Sequence, residues 1–90
     1  MADWICPNLK KVILRDCQIE KIGSLNLPSL QEIDLTRNKI ADATNMASWK
    51  CPNLKIINLY EGKTEKIGSL DMPSLKNINL SLNQILSLIH

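Results

Sequence analysis

The sequence predicts an α/β solenoid made of stacked coils, with short parallel β-strands along one side. Three observations support this fold class. The chain contains an internal duplication, its apolar residues recur at one fixed spacing, and its burial depends on Leu and Ile, since it has two Trp, one Tyr and no Phe. A small repeated unit cannot bury its apolar face alone, so such units stack into a continuous core.

The duplication relates the two halves of the chain at a constant offset of 45 residues. Residues 4–45 align with residues 49–90 without a gap, and about 20 of the 42 pairs are identical. The longest shared blocks are CPNLK, at 6–10 and 51–55, and EKIGSL, at 20–25 and 65–70. Identity near one half without a gap indicates tandem duplication within a single domain, residues 1–90.

Each half divides again into two coils that share the apolar pattern L-x-x-[LIV]-x-L. The coils begin near residues 9, 30, 54 and 75, so the spacings are 21, 24 and 21 residues. The pattern residues are Leu9, Val12, Leu14, Cys17 and Ile19 in coil one; Leu30, Ile33, Leu35, Asn38 and Ile40 in coil two; Leu54, Ile57, Leu59, Gly62 and Thr64 in coil three; and Leu75, Ile78, Leu80, Asn83 and Ile85 in coil four.

The centre of each pattern predicts a short strand. Ile33 and Leu35 are two residues apart, so in a strand they point to the same side, towards the core. Their neighbours Glu32, Asp34 and Thr36 are expected to point to solvent. The Asn that follows suits a turn, because its amide can bond to backbone groups that the bend leaves unpaired.

The 24-residue coil has room for a short α-helix near residues 42–50. Asp42 is the expected N-cap, Met46 and Trp49 lie three residues apart on one face, and Pro52 is expected to stop the helix. The other return segments have apolar residues at three-residue spacing, which is typical of turns and 3₁₀ segments.

These coils resemble the leucine-rich-repeat family in its short-repeat class, and in particular the phosphatase-regulator type. The stretch 38–54, which ends KCPNL and is followed by KIINL, also resembles the acidic leucine-rich nuclear phosphoproteins. The resemblance implies a right-handed solenoid with a concave parallel sheet of about four strands and a convex side of turns, 3₁₀ segments and the short helix. It also implies partner binding through the concave face and no catalysis. Cys17 and Gly62 depart from the family's turn Asn, and Thr64 departs from its apolar residue, so coils one and three are expected to be less regular.

If the register holds, the concave face carries a mixed set of charged, polar and apolar side chains. We predict Tyr60 as the anchor for a partner, because aromatic residues dominate interface energetics. The predicted partner-binding residues are Lys11, Ile13, Arg15, Glu32, Asp34, Arg37, Ile56, Asn58, Tyr60, Glu61 and Asn79. The remaining positions on this face are Asp16, Thr36, Asn77, Ser81 and Leu82.

Composition argues against several other classes of function. A net charge of +2 is too small to indicate nucleic acid or an anionic membrane, and no stretch of about 18 apolar residues is present. The three cysteines form no CxxC pair, so we expect no metal or other cofactor, and reduced, buried thiols in an intracellular setting, cytoplasmic or nuclear. No secretion signal and no catalytic motif is visible, and the single His90 has no partner placed by a motif.

Three functions stay open at this point. The first is a protein–protein interaction module, the second a non-catalytic targeting or regulatory piece of an enzyme assembly, and the third a structural or engineered scaffold without a ligand. The apolar final residues 85–89 leave three explanations open: a fragment of a longer solenoid, self-association through the solenoid ends, or a chain that is only marginally stable alone.

Overall fold

Four short parallel strands, one from each coil, form the main sheet of the protein. The computed structural model describes residues 6–68, 72–81, 83, 87 and 88. The strands are β1 (Lys11–Ile13), β2 (Glu32–Asp34), β4 (Ile56–Asn58) and β6 (Asn77–Asn79), and they lie side by side in that order. Val12 pairs with Ile33, Ile33 with Ile57 and Ile57 with Ile78. These pairs reproduce the predicted spacings of 21, 24 and 21 residues, so the predicted register is confirmed.

The core lies behind this sheet and is made of the pattern residues. The central residue of each strand points inward, and the apolar residues three before and two after it extend the same layer. In coils two and three these residues are fully buried: Leu30, Ile33, Leu35, Leu54, Ile57 and Leu59. The corresponding residues Leu9, Leu14, Leu75, Ile78 and Leu80 of coils one and four are half-buried. The pattern residues are therefore fully buried in the two coils that have a described coil on each side.

Two Asn side chains join neighbouring coils at the turns that follow the strands. Oδ1 of Asn38 accepts hydrogen bonds from the backbone N–H groups of Cys17 and Ile19, both at 3.1 Å. Its Nδ2 donates to the carbonyl oxygens of Leu14 and Leu35, at 2.8 and 2.9 Å. Each turn Asn thus serves the backbone of the preceding coil as well as its own.

The second half of the chain repeats this arrangement. Oδ1 of Asn83 accepts from Gly62 and Thr64, each at 2.9 Å, and its Nδ2 donates to Leu59 O at 2.6 Å. Coils one and three can therefore dispense with Asn at this position, because the next coil supplies the amide. We expected these coils to be less regular; their turns nevertheless have the same partners.

A second parallel sheet, which the sequence did not predict, lies in the return segments. It consists of β3 (Asp42–Ala43), β5 (Lys66–Ile67) and β7 (Ser87–Leu88), in that order. Each strand begins eight residues after a main-sheet strand ends. The residues are too few to show an alternating pattern, and only Ala43 and Ile67 are described as buried.

The predicted α-helix near residues 42–50 is wrong in type and extent. The structure has a 3₁₀ helix over Thr44–Ser48, preceded by β3 and ended by Trp49 in an extended conformation. Asp42 is not the N-cap residue, although its Oδ1 accepts hydrogen bonds from Thr44 N and Oγ1 at 2.9 and 2.6 Å. Trp49 leaves the helix because its Nε1 donates to Gly23 O at 3.0 Å, which anchors it to the preceding coil. The helix therefore ends before Pro52 could stop it.

The expectation of buried thiols holds for one cysteine of three. Cys51 is buried, whereas Cys6 and Cys17 are exposed, and all three are free. Cys17 is exposed at a turn position, where its Sγ donates to the carbonyl oxygen of Arg15, at 3.3 Å.

Candidate partner-binding face

The outward side chains of the main sheet form rows that run across the coils, and we call this surface the concave face. The first row is Lys11, Glu32, Ile56 and Asn77, and the second is Ile13, Asp34, Asn58 and Asn79. A third row, two residues further on, consists of Arg15, Thr36, Tyr60 and Ser81. Arg37 and Glu61 follow the third row. Seven of the eleven predicted residues thus lie in the two strand rows, and Arg15 and Tyr60 lie just beyond them. Arg37 and Glu61 lie at the turns, where they line a depression with Asn38, Lys39 and Lys63. The role of all eleven in binding stays a prediction. Leu82 lies outside the described residues.

Three ion pairs join coil one to coil two on this face. Lys11 Nζ lies 3.7 Å from Glu32 Oε2, and Arg15 Nε lies 2.6 Å from Asp34 Oδ2. Because each of these cations of coil one lies beside an anion of coil two, its charge is already matched within the chain. They are poor candidates for recognising an acidic partner or phosphate.

The third ion pair has two hydrogen bonds. Arg37 donates from Nε and Nη2 to the two carboxylate oxygens of Asp16, at 2.8 and 3.1 Å. The hydrogen bond from Arg37 lowers the pKa of Asp16, and the same bond raises the pKa of Arg37. Both side chains are about half exposed, so the pair orders the surface more than it stabilises the fold.

Asp34 and Thr36 do not point freely into solvent as predicted. Asp34 is 2 % exposed and Thr36 is 7 % exposed. Asp34 is covered because Arg15 contacts one carboxylate oxygen while the N–H and Oγ1 of Thr36 donate to the other, at 3.0 and 2.5 Å. Burial raises the pKa of this carboxyl, but the hydrogen bonds from Thr36 and Arg15 outweigh it, and the net pKa is lowered. Both carboxylate oxygens of Asp34 are therefore hydrogen-bonded within the chain, and Asp34 offers a partner no free carboxylate.

The part of the face on coils three and four is different, and we call it the neutral half. It consists of Ile56, Asn58, Tyr60, Asn77, Asn79 and Ser81. Ile56 is 40 % exposed and Tyr60 is half-buried. A shallow depression of about 390 Å³ lies between β4 and β6, lined by Ile56, Asn58, Asn77, Asn79 and Ser81 among others. None of these side chains is charged.

Two amides of the neutral half are held in one orientation. Oδ1 of Asn58 accepts from Tyr60 N at 2.9 Å, and Oδ1 of Asn79 accepts from Ser81 N at 3.0 Å. Because a backbone N–H must meet an oxygen, the Nδ2 group is left as the donor that faces outward. Asn58 and Asn79 are register partners, so the neutral half carries two such donors on adjacent strands, about 4.8 Å apart.

Other kinds of site find no support in the described part of the chain. No group of three or more His, Cys, Asp or Glu side chains is placed to hold a metal ion there. Within the same residues, no helix has both the length and the apolar character needed to cross a membrane.

The architecture defines the class of the protein, since parallel strands, turn Asn residues and short coils at this spacing form a solenoid. The family model described as Leucine Rich repeats (2 copies) matches residues 7–48, which span coil one and most of coil two. This match supports a leucine-rich-repeat family, and the parallel strands with a 3₁₀ turn are compatible with a short leucine-rich-repeat solenoid. Repeats of this family generally mediate protein–protein interaction and are typically non-catalytic. No curated protein and no solved structure matches the chain significantly.

Sequence reasoning identified the face but missed its division into two halves. The predicted register could have shown this division, because it places Lys11 opposite Glu32 and Ile56 opposite Asn77. It missed the Arg15–Asp34 pair for a different reason. These residues belong to different rows, so their contact depends on the length and direction of the Arg side chain.

Proposed function

We propose that this chain is a protein-interaction module and that its partner docks on the neutral half of the concave face. The observation that carries the proposal is the contrast between the two halves. On coils one and two, Lys11 and Arg15 of this face are paired with Glu32 and Asp34. On coils three and four, the exposed Ile56 and the amides of Asn58 and Asn79 line an open depression, and the half-buried Tyr60 follows two residues after Asn58. Interfaces draw their energy from such aromatic and apolar anchors surrounded by polar groups.

The expected partner contributes an uncharged segment with an apolar side chain for Ile56 and backbone carbonyl oxygens for the amides of Asn58 and Asn79. Since the face offers few unpaired charges, its affinity is expected to change little with salt. We also place the protein inside the cell, in the cytoplasm or the nucleus, where exposed thiols such as Cys6 and Cys17 stay reduced. The phosphatase-regulator and nuclear-phosphoprotein subtypes remain predictions from the sequence.

A photoreactive amino acid placed at position 77 tests where the partner binds. We expect it to cross-link one protein specifically in cells, whereas the same amino acid at position 53, an exposed residue bonded to Pro28 O, should not. The cross-linked protein then serves as the titrant in a binding measurement with purified components.

The chain offers a matched pair of variants for that measurement, because Ile13 and Ile56 are exposed isoleucines on the same face, at 50 % and 40 %. We expect Ile56→Ala and Tyr60→Ala to weaken binding about tenfold each, and Ile13→Ala to leave it unchanged. Equal affinity for all three variants would place the interface elsewhere. A chain that cross-links nothing at position 77 would instead support the scaffold without a ligand.

A further inference from the structure

We infer that the neutral half selects a proline-rich segment of the partner, and that one carbonyl oxygen of this segment accepts hydrogen bonds from both Asn58 and Asn79. This inference rests on the proposed function, because it names the chemistry of the partner at the same site. It is carried by a turn that three successive coils share, in which the outward atom changes from an acceptor to a donor.

Coils two, three and four make the same local turn at the ends of their main-sheet strands. The side chains that accept a hydrogen bond in this turn are Asp34, Asn58 and Asn79. Each Oδ1 accepts from the backbone N–H group two residues later, at 3.0, 2.9 and 3.0 Å respectively. The other atom of each side-chain head, Oδ2 in Asp34 and Nδ2 in the two Asn residues, is left to make contacts outside the turn.

This outward atom has a partner in coil two and has none in coils three and four. Oδ2 of Asp34 meets Nε of Arg15 at 2.6 Å. At the offset of 45 residues, Tyr60 stands where coil one has Arg15, and Asn79 stands where coil two has Asp34. Within the described part of the chain, Nδ2 of Asn58 and Nδ2 of Asn79 make no hydrogen bond. The second half of the chain therefore offers two donors where the first half has a closed ion pair.

The two donors are placed to share one acceptor. Asn58 and Asn79 are register partners, so their amides lie about 4.8 Å apart. An oxygen atom about 2.9 Å from both nitrogens has them at an angle of about 110°, which is close to the angle of about 120° between the two lone pairs of a carbonyl oxygen. The depression of about 390 Å³ between β4 and β6 leaves room for such a group.

A proline-rich segment supplies carbonyl oxygens without bringing N–H donors. Proline has no backbone N–H, and the polyproline II conformation leaves the carbonyl oxygens free of internal hydrogen bonds. A segment of other residues would bring N–H groups to face these two donors, where they would lose their partners. The exposed Ile56 and the half-buried Tyr60 flank the amides and offer apolar surface to proline rings, as grooves lined by aromatic residues do.

Titration of the ¹⁵N-labelled chain with an acetylated decaproline peptide, followed by NMR, tests this inference. We expect the side-chain amide signals of Asn58 and Asn79 to move together and to saturate. The signal of Asn53, whose Nδ2 is bonded to Pro28 O, should not move. A Gly-Ser peptide of the same length brings N–H donors and no rings, so it should bind about tenfold more weakly or less than that.

The chain itself supplies the design of a sharp variant, because Asp34 makes the shared turn with a carboxylate. Asn79→Asp should therefore keep the fold, which circular dichroism checks, and should replace the outward donor with an acceptor. We expect it to weaken the binding of decaproline about tenfold. Asn53→Asp is the matched control, since it makes the same change of charge outside the concave face, and it should leave the binding unchanged.

The outcomes separate this inference from the proposed function. Binding of decaproline that survives Asn79→Asp but is lost in Ile56→Ala would overturn the shared acceptor and keep the site. Failure of decaproline to bind, while position 77 still cross-links a partner, would also overturn the inference alone. Tighter binding of a Glu-rich peptide of the same length would overturn it as well, because the acceptor would then be a carboxylate. The proposed function fails separately, if position 77 cross-links nothing.

Discussion

Asn38 of coil two completes the turn of coil one by accepting the backbone N–H of Cys17, 21 residues earlier in the chain, at 3.1 Å. The same side chain is 2 % exposed and reaches the carbonyl oxygens of Leu14 and Leu35. The side-chain amide of Asn38 therefore connects two coils at their turns, where the backbone is part of neither sheet.

Replacing Asn38 with Ala should destabilise the protein by about 3 kcal/mol, since several buried backbone groups would lose their partner and each such loss costs about 1 kcal/mol or more. Urea unfolding followed by circular dichroism measures the change. Asn53→Ala is the control, because Asn53 is exposed and makes one hydrogen bond, to Pro28 O. A loss at Asn38 no larger than that at Asn53 would show that water replaces the amide.

The register was predictable from the sequence because it depends on local spacing. Two apolar residues flanking a polar one indicate a strand, and the offsets between such groups give the pairing of Val12 with Ile33 and of Ile57 with Ile78. Each of these inferences uses residues that are close in sequence or that occupy equivalent positions in the repeat.

Contacts between coils were not predictable in the same way. The burial of Asp34 depends on Arg15, 19 residues away, and the 3₁₀ helix ends where Trp49 bonds to Gly23, 26 residues away. Such contacts depend on side-chain direction across a stack, which periodicity does not specify. The position of the concave face was therefore predictable, whereas its division into a charged and a neutral half was not.

Thr64 should be a position where a substitution stabilises the protein. It stands where coils one and two have Ile, it is fully buried, and its Oγ1 has no hydrogen-bond partner within the described part of the chain. Thr64→Val keeps the shape and removes the unpaired hydroxyl, so the free energy of unfolding should rise by about 1 kcal/mol.

Thr36 is the matched control for this experiment, because it is also buried but its hydroxyl donates to Asp34 at 2.5 Å. Thr36→Val should lower the free energy of unfolding by about 1 kcal/mol. Denaturant midpoints of the two variants should thus move in opposite directions. A fall in stability for Thr64→Val would mean that its hydroxyl has a partner after all.

The thiols should react at very different rates. Cys6 and Cys17 are exposed, whereas Cys51 is 1 % exposed and burial raises its pKa, which a backbone hydrogen bond from Leu27 only partly offsets. Since the thiolate is the reactive form, a disulfide reagent should modify two thiols quickly and the third only after unfolding. Cys51→Ala should leave the fast phase unchanged, and a fast phase of three thiols would contradict the packing of Cys51 against Leu25 and Leu27 of coil one.

Acid should weaken the fold partly through Asp34. Its pKa in the folded protein is lowered from the ordinary 3.8, so the ionised form is stabilised by folding. This contribution is fully present above the ordinary pKa and is lost as the pH falls through the lower, folded value. Asp34→Asn should therefore be less stable than the unmodified chain at neutral pH, and the difference should shrink in strong acid. Asp16 and Asp42, whose pKa values are also lowered, should keep some acid sensitivity in the variant.

The measurement is urea unfolding of both proteins at neutral pH and at a pH below the pKa of Asp34, which NMR titration supplies. Arg15→Gln should raise that pKa, because it removes the hydrogen bond and the charge that hold Oδ2 at 2.6 Å. Glu20→Gln serves as the control for a change of charge at an exposed side chain. If the stability difference between Asp34→Asn and the unmodified chain were the same at both pH values, the pKa of Asp34 would be the same in the folded and the unfolded chain, and Arg15 and Thr36 would not favour its ionised form.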